Sequence, residues 1–139
     1  MPGQTTFTGI TDQPPRAGQV DGIGEVLTMP GAATAAIDFG DPLEWVSETA
    51  GTVKLFDGTG TICGFAARDL SRPFNTGYVA GNQVPIVFRG MLWIKTAAPL
   101  VVGAAVAGVA NSVVRKVGVN GAQNLALVYI NLPARGPAL

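Results

Sequence analysis

Apolar residues are concentrated in the middle of the chain, from Asn82 to Gly103, with Arg89-Gly90 and Lys95-Thr96 between the runs. Side chains alternate across a strand, so Val84, Ile86 and Phe88 share one face of a first run. Met91, Trp93 and Lys95 alternate with Leu92 and Ile94 in a second. The pattern predicts two strands broken at Gly90, then an apolar third strand entered through Pro99. β-branched and aromatic residues dominate these runs, as a half-buried pleated surface favours. This stretch is the expected centre of an all-β core.

The rest of the chain supplies shorter signals. Residues 1–24 are rich in Gly, Pro, Thr and Gln, and Pro14-Pro15 favours extended backbone without ladder donors. They read either as a frayed tail or as an extended arm that packs on a neighbouring subunit. Glu25–Met29 reads as a strand ended by the turn dipeptide Pro30-Gly31. Ala33–Phe39 reads as a second strand, although its alanines also allow a short helix. Gly40-Asp41-Pro42 turns the chain, and Leu43–Ser47 reads as a short strand. Thr52–Phe56 and Thr61–Phe65 flank Asp57-Gly58-Thr59-Gly60, a hairpin signal because Gly takes the positive φ of primed turns. Ala66–Gly81 reads as a long loop holding Arg68, Asp69, Arg72, Pro73 and Asn75. Ser112–Val117 and Leu125–Leu132 read as strands around a turn at Asn120-Gly121. The total is about eight to ten short strands and no amphipathic helix. The expected fold is a jelly-roll-like β-sandwich over residues 25–139, carrying an extended N-terminal arm over residues 1–24.

Composition narrows the function classes. A chain of 139 residues fits one domain. Charged residues make up 13%, against roughly a quarter in ordinary soluble domains, and Lys+Arg equals Asp+Glu at 9 each. Little long-range repulsion keeps copies of such a protein apart, which fits a part in an assembly. Nucleic-acid binding needs clustered positive charge and is not expected. The chain has no histidine, so it lacks the commonest general base and metal ligand. Cys63 is the sole cysteine, which rules out an internal disulfide or a multi-cysteine zinc site. No signal peptide is evident at the N-terminus. The longest apolar run, Ala97–Ala110, is shorter than the ~20 residues of a membrane helix and is interrupted by Pro99, Gly103 and Gly108. Synthesis in the cytoplasm and no membrane partner are expected.

Four pieces, in order, resemble the structural cement (capsid decoration) proteins of tailed bacteriophages. The first is Ala36-Ile-Asp-Phe-Gly40 followed by Pro42-Leu43. The second is Gly64-Phe-Ala-Ala-Arg-Asp69, similar to a Gly-apolar-Ala-x-Arg-Asp segment. The third is Tyr78-Val-Ala-Gly-Asn-Gln-Val84 leading into Val87-Phe-Arg-Gly-Met-Leu-Trp-Ile94, where a Gly precedes an apolar-Trp-apolar triplet. The fourth is Ala98–Val106; here the chain has Gly103-Ala104 where the family often has Gly-Asp. The resemblance implies an oligomer; the neutral, charge-poor composition favours a homodimer, with a trimer as the alternative. It would lie on the outer capsid surface of the virion, bound to the major capsid protein. The alternative class is a jelly-roll ligand- or carbohydrate-binding module.

Other chemistry is weighed against bland readings. Gly58-Thr-Gly60 with Gly64 resembles a dinucleotide loop, but the spacing is one residue too long and the setting is a hairpin. Asp38, Asp41 and Glu44 fit no calcium-loop spacing. Cys63 lies between Ile62 and Gly64 with no histidine to activate it, and reads as a buried structural thiol. Trp45 and Trp93 read as core in preference to interface. No enzyme activity, cofactor or metal is expected. The Arg68-Asp69 pair reads as a local ion pair or as a capsid contact. The expected contact residues are Pro14, Pro15 and Arg16 on the arm, with Arg68, Asp69 and Arg72 on the loop.

Overall fold

The computed structural model describes residues 15–20, 25–58, 60–69, 71, 77–109, 111–120 and 123–134. Among these the chain is all-β, with no helix and seven strands. They are β1 Leu27–Ala33, β2 Pro42–Ser47, β3 Thr52–Leu55, β4 Gly64–Ala66, β5 Gln83–Thr96, β6 Val113–Asn120 and β7 Gln123–Asn131. The sheet order is β1-β3-β2-β4-β5-β7-β6, and β1 also pairs with β5. That extra pairing closes β1, β3, β2, β4 and β5 into a barrel. The second half of β5 continues outside it as a sheet with β7 and β6.

The predicted break at Gly90 is absent: β5 is one strand of 14 residues. Its ladder with β1 slips between Leu27 and Thr28, which pair with Arg89 and Val87. Phe88 is therefore the extra residue of a β-bulge, which bends the strand. Gly90 follows with φ of 125°, and a Cβ there would lie 2.7 Å from the Glu25 carbonyl oxygen. Val84 and Ile86, before the bulge, belong to one core with Ala33, Leu43, Val53, Cys63 and Ala66. Val87, Phe88, Leu92 and Ile94 belong to a second core with Phe65, Val114, Ala126, Val128 and Ile130. The bend thus lets one strand line two cores.

Other expectations shift for local reasons. Pro30-Gly31 lies inside β1, where Pro30 faces Pro85 and a Cβ on Gly31 would meet Ile86 Cδ1 at 2.6 Å. The second strand expected over Ala33–Phe39 is absent: Ala33 ends β1, where it pairs with Val53, and beyond it Ile37 alone makes an isolated bridge, to Tyr78. Asp57–Gly60 joins no hairpin, because β3 and β4 both pair with β2 from opposite sides. The connection passes over Glu44, whose carboxylate would overlap a Cβ at Gly60. Ala97–Val109 forms turns rather than a strand, with Gly103 and Gly108 at positive φ. The strands expected around residues 43–47, 52–56, 112–117 and 125–132 are present within a few residues of the predicted bounds. Cys63 is buried. Trp93 is half-buried and Trp45 packs at the margin of its core, so neither is a central core residue.

Gly90→Ala is expected to destabilise the fold by about 1–3 kcal/mol, from strain at positive φ and the Glu25 contact. Urea unfolding measures it, and an unchanged midpoint would show that β5 does not need this bend.

Candidate functional site

The segment around Pro15 docks on the chain's own body. Gly18 N–H donates to the Trp93 carbonyl at 2.7 Å, and Trp93 N–H donates to the Gln19 carbonyl at 2.9 Å. Val20 bridges Leu92, so the segment pairs with the second half of β5 opposite β7. A turn shapes it: Gln19 N–H donates to Arg16 O at 3.0 Å, and Arg16 N–H to Gln19 Oε1 at 3.2 Å. Gly18 takes φ of 79°, and a Cβ there would lie 2.8 Å from Gly40 N and 2.9 Å from Arg68 N. Only glycine permits that approach of three backbones.

Arg68 ties this junction together. Its N–H donates to Gly18 O at 2.8 Å, and its Nε donates to Ala17 O at 3.0 Å. The guanidinium carbon stands 4.6 Å from the centroid of the Phe39 ring. Phe39 meets Tyr78 edge-on at 5.3 Å, and Tyr78 Oη donates to Ala67 O at 2.6 Å. Burial, and then the charge of Arg16, push the Arg68 pKa down. A guanidinium nevertheless stays protonated. Arg68 is thus a strut between the N-terminal segment, the Phe39 turn and the end of β4. Asp69 Oδ1 accepts from Ser71 N–H at 2.9 Å and Ser71 Oγ at 2.6 Å. The structure brings Pro15, Arg16, Arg68 and Asp69 into one region of the fold. Pro14 and Arg72 lie outside the described residues, as does residues 1–14 of the expected arm.

Asp38, Asp41, Glu44 and Asp57 are engaged in ion pairs. Lys95 Nζ lies 3.8 Å from Asp38 and 4.0 Å from Asp41. Asp41 also accepts the Asp38 N–H at 2.8 Å. Glu44, buried on β2, pairs with Lys54 at 3.2 Å, and Lys54 reaches Asp57 at the same distance. Among the described residues no cluster of three or more His, Cys, Asp or Glu side chains is placed to hold a metal ion. A shallow groove of about 290 Å³ follows the β1–β5 pair, lined by Thr28, Met29, Pro30, Gln83, Val84 and Pro85. Its lining has no aromatic ring and no charge.

The sequence reading missed the outer surface of β6. Val117 and Val119 are 49% and 59% exposed, and Val101 and Val102 are exposed on the preceding loop. Val117-Gly-Val119 continues the alternation beyond the strand predicted to end at Val117, and that signal was available.

No protein-family model matches the chain, and no curated protein matches it either.

Burial pushes the Asp41 carboxyl above its ordinary value of 3.8, against the pull of the Asp38 amide and Lys95. The stability tied to a raised folded-state acid is fully present below the unfolded pKa and lost as pH rises through the folded one. Asn at this position keeps an acceptor for the Asp38 amide but does not titrate. The stability of wild type relative to Asp41→Asn should therefore fall as pH rises from below 3.8 through the raised value. Denaturant unfolding across that range checks the sign; a difference constant with pH contradicts it.

Proposed function

We propose that this protein is a capsid decoration protein, a homo-oligomer that binds the outside of a phage head and stabilises its major capsid protein shell. The observation that carries the reading is where the resembling pieces lie. Phe39 and Gly40 come from the first, Ala66, Ala67 and Arg68 from the second, and Tyr78 and Trp93 from the third. In space they are one another's partners: Gly40 N–H bonds Ala66 O, Arg68 stacks on Phe39, Tyr78 bonds Ala67 O, and Gly18 links Trp93 to Arg68. Short motifs scattered along a chain acquire weight when they form one spatial unit.

In this reading the barrel and its sheet extension serve as the jelly-roll-like body, and residues 1–14 belong to the arm. Residues 15–20 anchor that arm to its own body. An extended arm adds main-chain hydrogen bonds at a neighbour's sheet edge. Cementing then works by multivalency, since many weak contacts on a shell act together. The protein works without cofactor, metal or nucleic acid and outside any membrane. A carbohydrate-binding module needs aromatic rings beside carboxylates or amides, and the β1–β5 groove offers the Gln83 amide but no ring.

The test is co-sedimentation with heads stripped of decoration. Intact protein should bind saturably and raise the temperature at which heads burst. Deleting residues 2–14, which spares the docked segment, should weaken binding about tenfold or more while the melting midpoint holds. Normal decoration by the truncated protein removes the arm from the proposal. Failure of the intact protein to bind heads removes the decoration reading itself.

A further inference from the structure

Strand β6 ends the sheet order, and among the described residues it pairs with β7 alone. Its outer edge is covered at the start, where Gly103 N–H donates to Val114 O at 2.8 Å and Val114 N–H to Ala104 O at 2.9 Å. The β-bulge between Val114 and Lys116 and the exposed cations Arg115 and Lys116 guard that same half. Among the described residues the half beyond them has no such cover, bulge or cation.

The two faces of this half differ. On one, Gly118 lies under Trp93 and Pro15: a Cβ there would be 3.5 Å from Trp93 Cζ3 and 3.4 Å from Pro15 Cγ. On the other, Val117 stands beside Ala126, which stands beside Ile94. Ala126 and Ile94 are 1% and 3% exposed, whereas Val117 is 49% exposed. The apolar face of the second core therefore runs out to the sheet edge and stops uncovered.

We infer that a second copy of this chain covers it, pairing β6 with β6 in antiparallel fashion about a two-fold axis at Gly118. The inference rests on the self-association within the proposed function and specifies its surface. A two-fold interface must be self-complementary. An axis at Gly118 sets Val117 opposite Val119 of the partner subunit, and does so twice. It sets Lys116 opposite Asn120 of the partner subunit, and it moves each Arg115 to the outer ends of the pair. No like charges face one another, which is the main penalty in cross-strand pairing. An axis at Lys116 would oppose two ammonium groups, and one at Val117 would give a single valine pair. Among the described residues Arg115 and Lys116 have no acidic partner, so the pairing breaks no ion pair. Zero formal net charge leaves no long-range barrier to two copies meeting.

Sedimentation velocity of the free full-length chain should show a dimer. V117K/V119K should raise its dissociation constant at least tenfold, with the far-ultraviolet circular dichroism unchanged. In a second measurement, chains carrying Val117→Cys mixed with chains carrying Val119→Cys should oxidise to a linked dimer. Neither should link when oxidised alone, because identical positions lie one diagonal step apart, beyond the roughly 7 Å Cα limit of a disulfide. The cysteine experiment keeps the test decisive if V117K/V119K fails to fold. A monomeric wild-type chain, a dimer indifferent to V117K/V119K, or Val117→Cys linking to itself overturns the β6 pairing. So does a dimer lost on deleting residues 2–14, which would give the edge to the arm. Head binding is scored separately: a β6 dimer that ignores heads sinks the decoration reading and leaves this interface standing.

Discussion

Arg89 stands opposite two residues at once, Leu27 at the start of β1 and Asn131 at the end of β7. At this point β5 changes partners. A strand has two edges, and β5 uses both along its length: β1 and β4 flank its first half, β7 and the Val20 segment its second. The bulge at Phe88 and the positive φ of Gly90 make the exchange sterically possible. One bent strand therefore closes a barrel and founds a sheet, and both cores share its side chains. Leu132 seals the joint by donating its N–H to the Phe88 carbonyl at 2.7 Å.

The second fixed point is the approach of Gly18, Gly40 and Arg68. Hydrogen bonds and one cation–ring contact hold it, not a large apolar surface. Such contacts are worth about 0.5–1.5 kcal/mol each, but they are directional, so they fix geometry more than they add stability. They hold residues 15–20 to the sheet. Most ionised groups discussed above are similarly employed within the fold, as with Lys54 between Glu44 and Asp57. What remains for partners is chiefly backbone edge and valine.

That division suits the proposed role in capsid contacts. A charge-poor surface attracts little at long range and depends on shape and main-chain pairing at short range. Strand β6 supplies an edge that pairs with β7 alone among the described residues and an apolar face, and Pro15 packs near its Gly118. Self-association and attachment to a shell are thus proposed for neighbouring features of one end of the molecule, which is what repeated contacts on a lattice need.

The all-β class and most strand positions were legible in the sequence. Alternation in 43–47 and 52–56 and the dense apolar runs of 84–94 are local properties of the sequence. The arm and the Arg68 loop were legible as candidates. Their meeting was not, because 51 residues separate Ala17 from Arg68 and only folding joins them. Gly90 and Pro30-Gly31 misled for a common reason. Glycine and proline mark turns when nothing surrounds them, yet here neighbouring strands demand a bend, a close approach and a missing donor. The Asp57–Gly60 turn was read as a hairpin because the sequence shows which runs are strands but not which pair. Pairing is decided by where the apolar faces can be buried together. Here that placed β2 between β3 and β4 and left the valines of β6 outside.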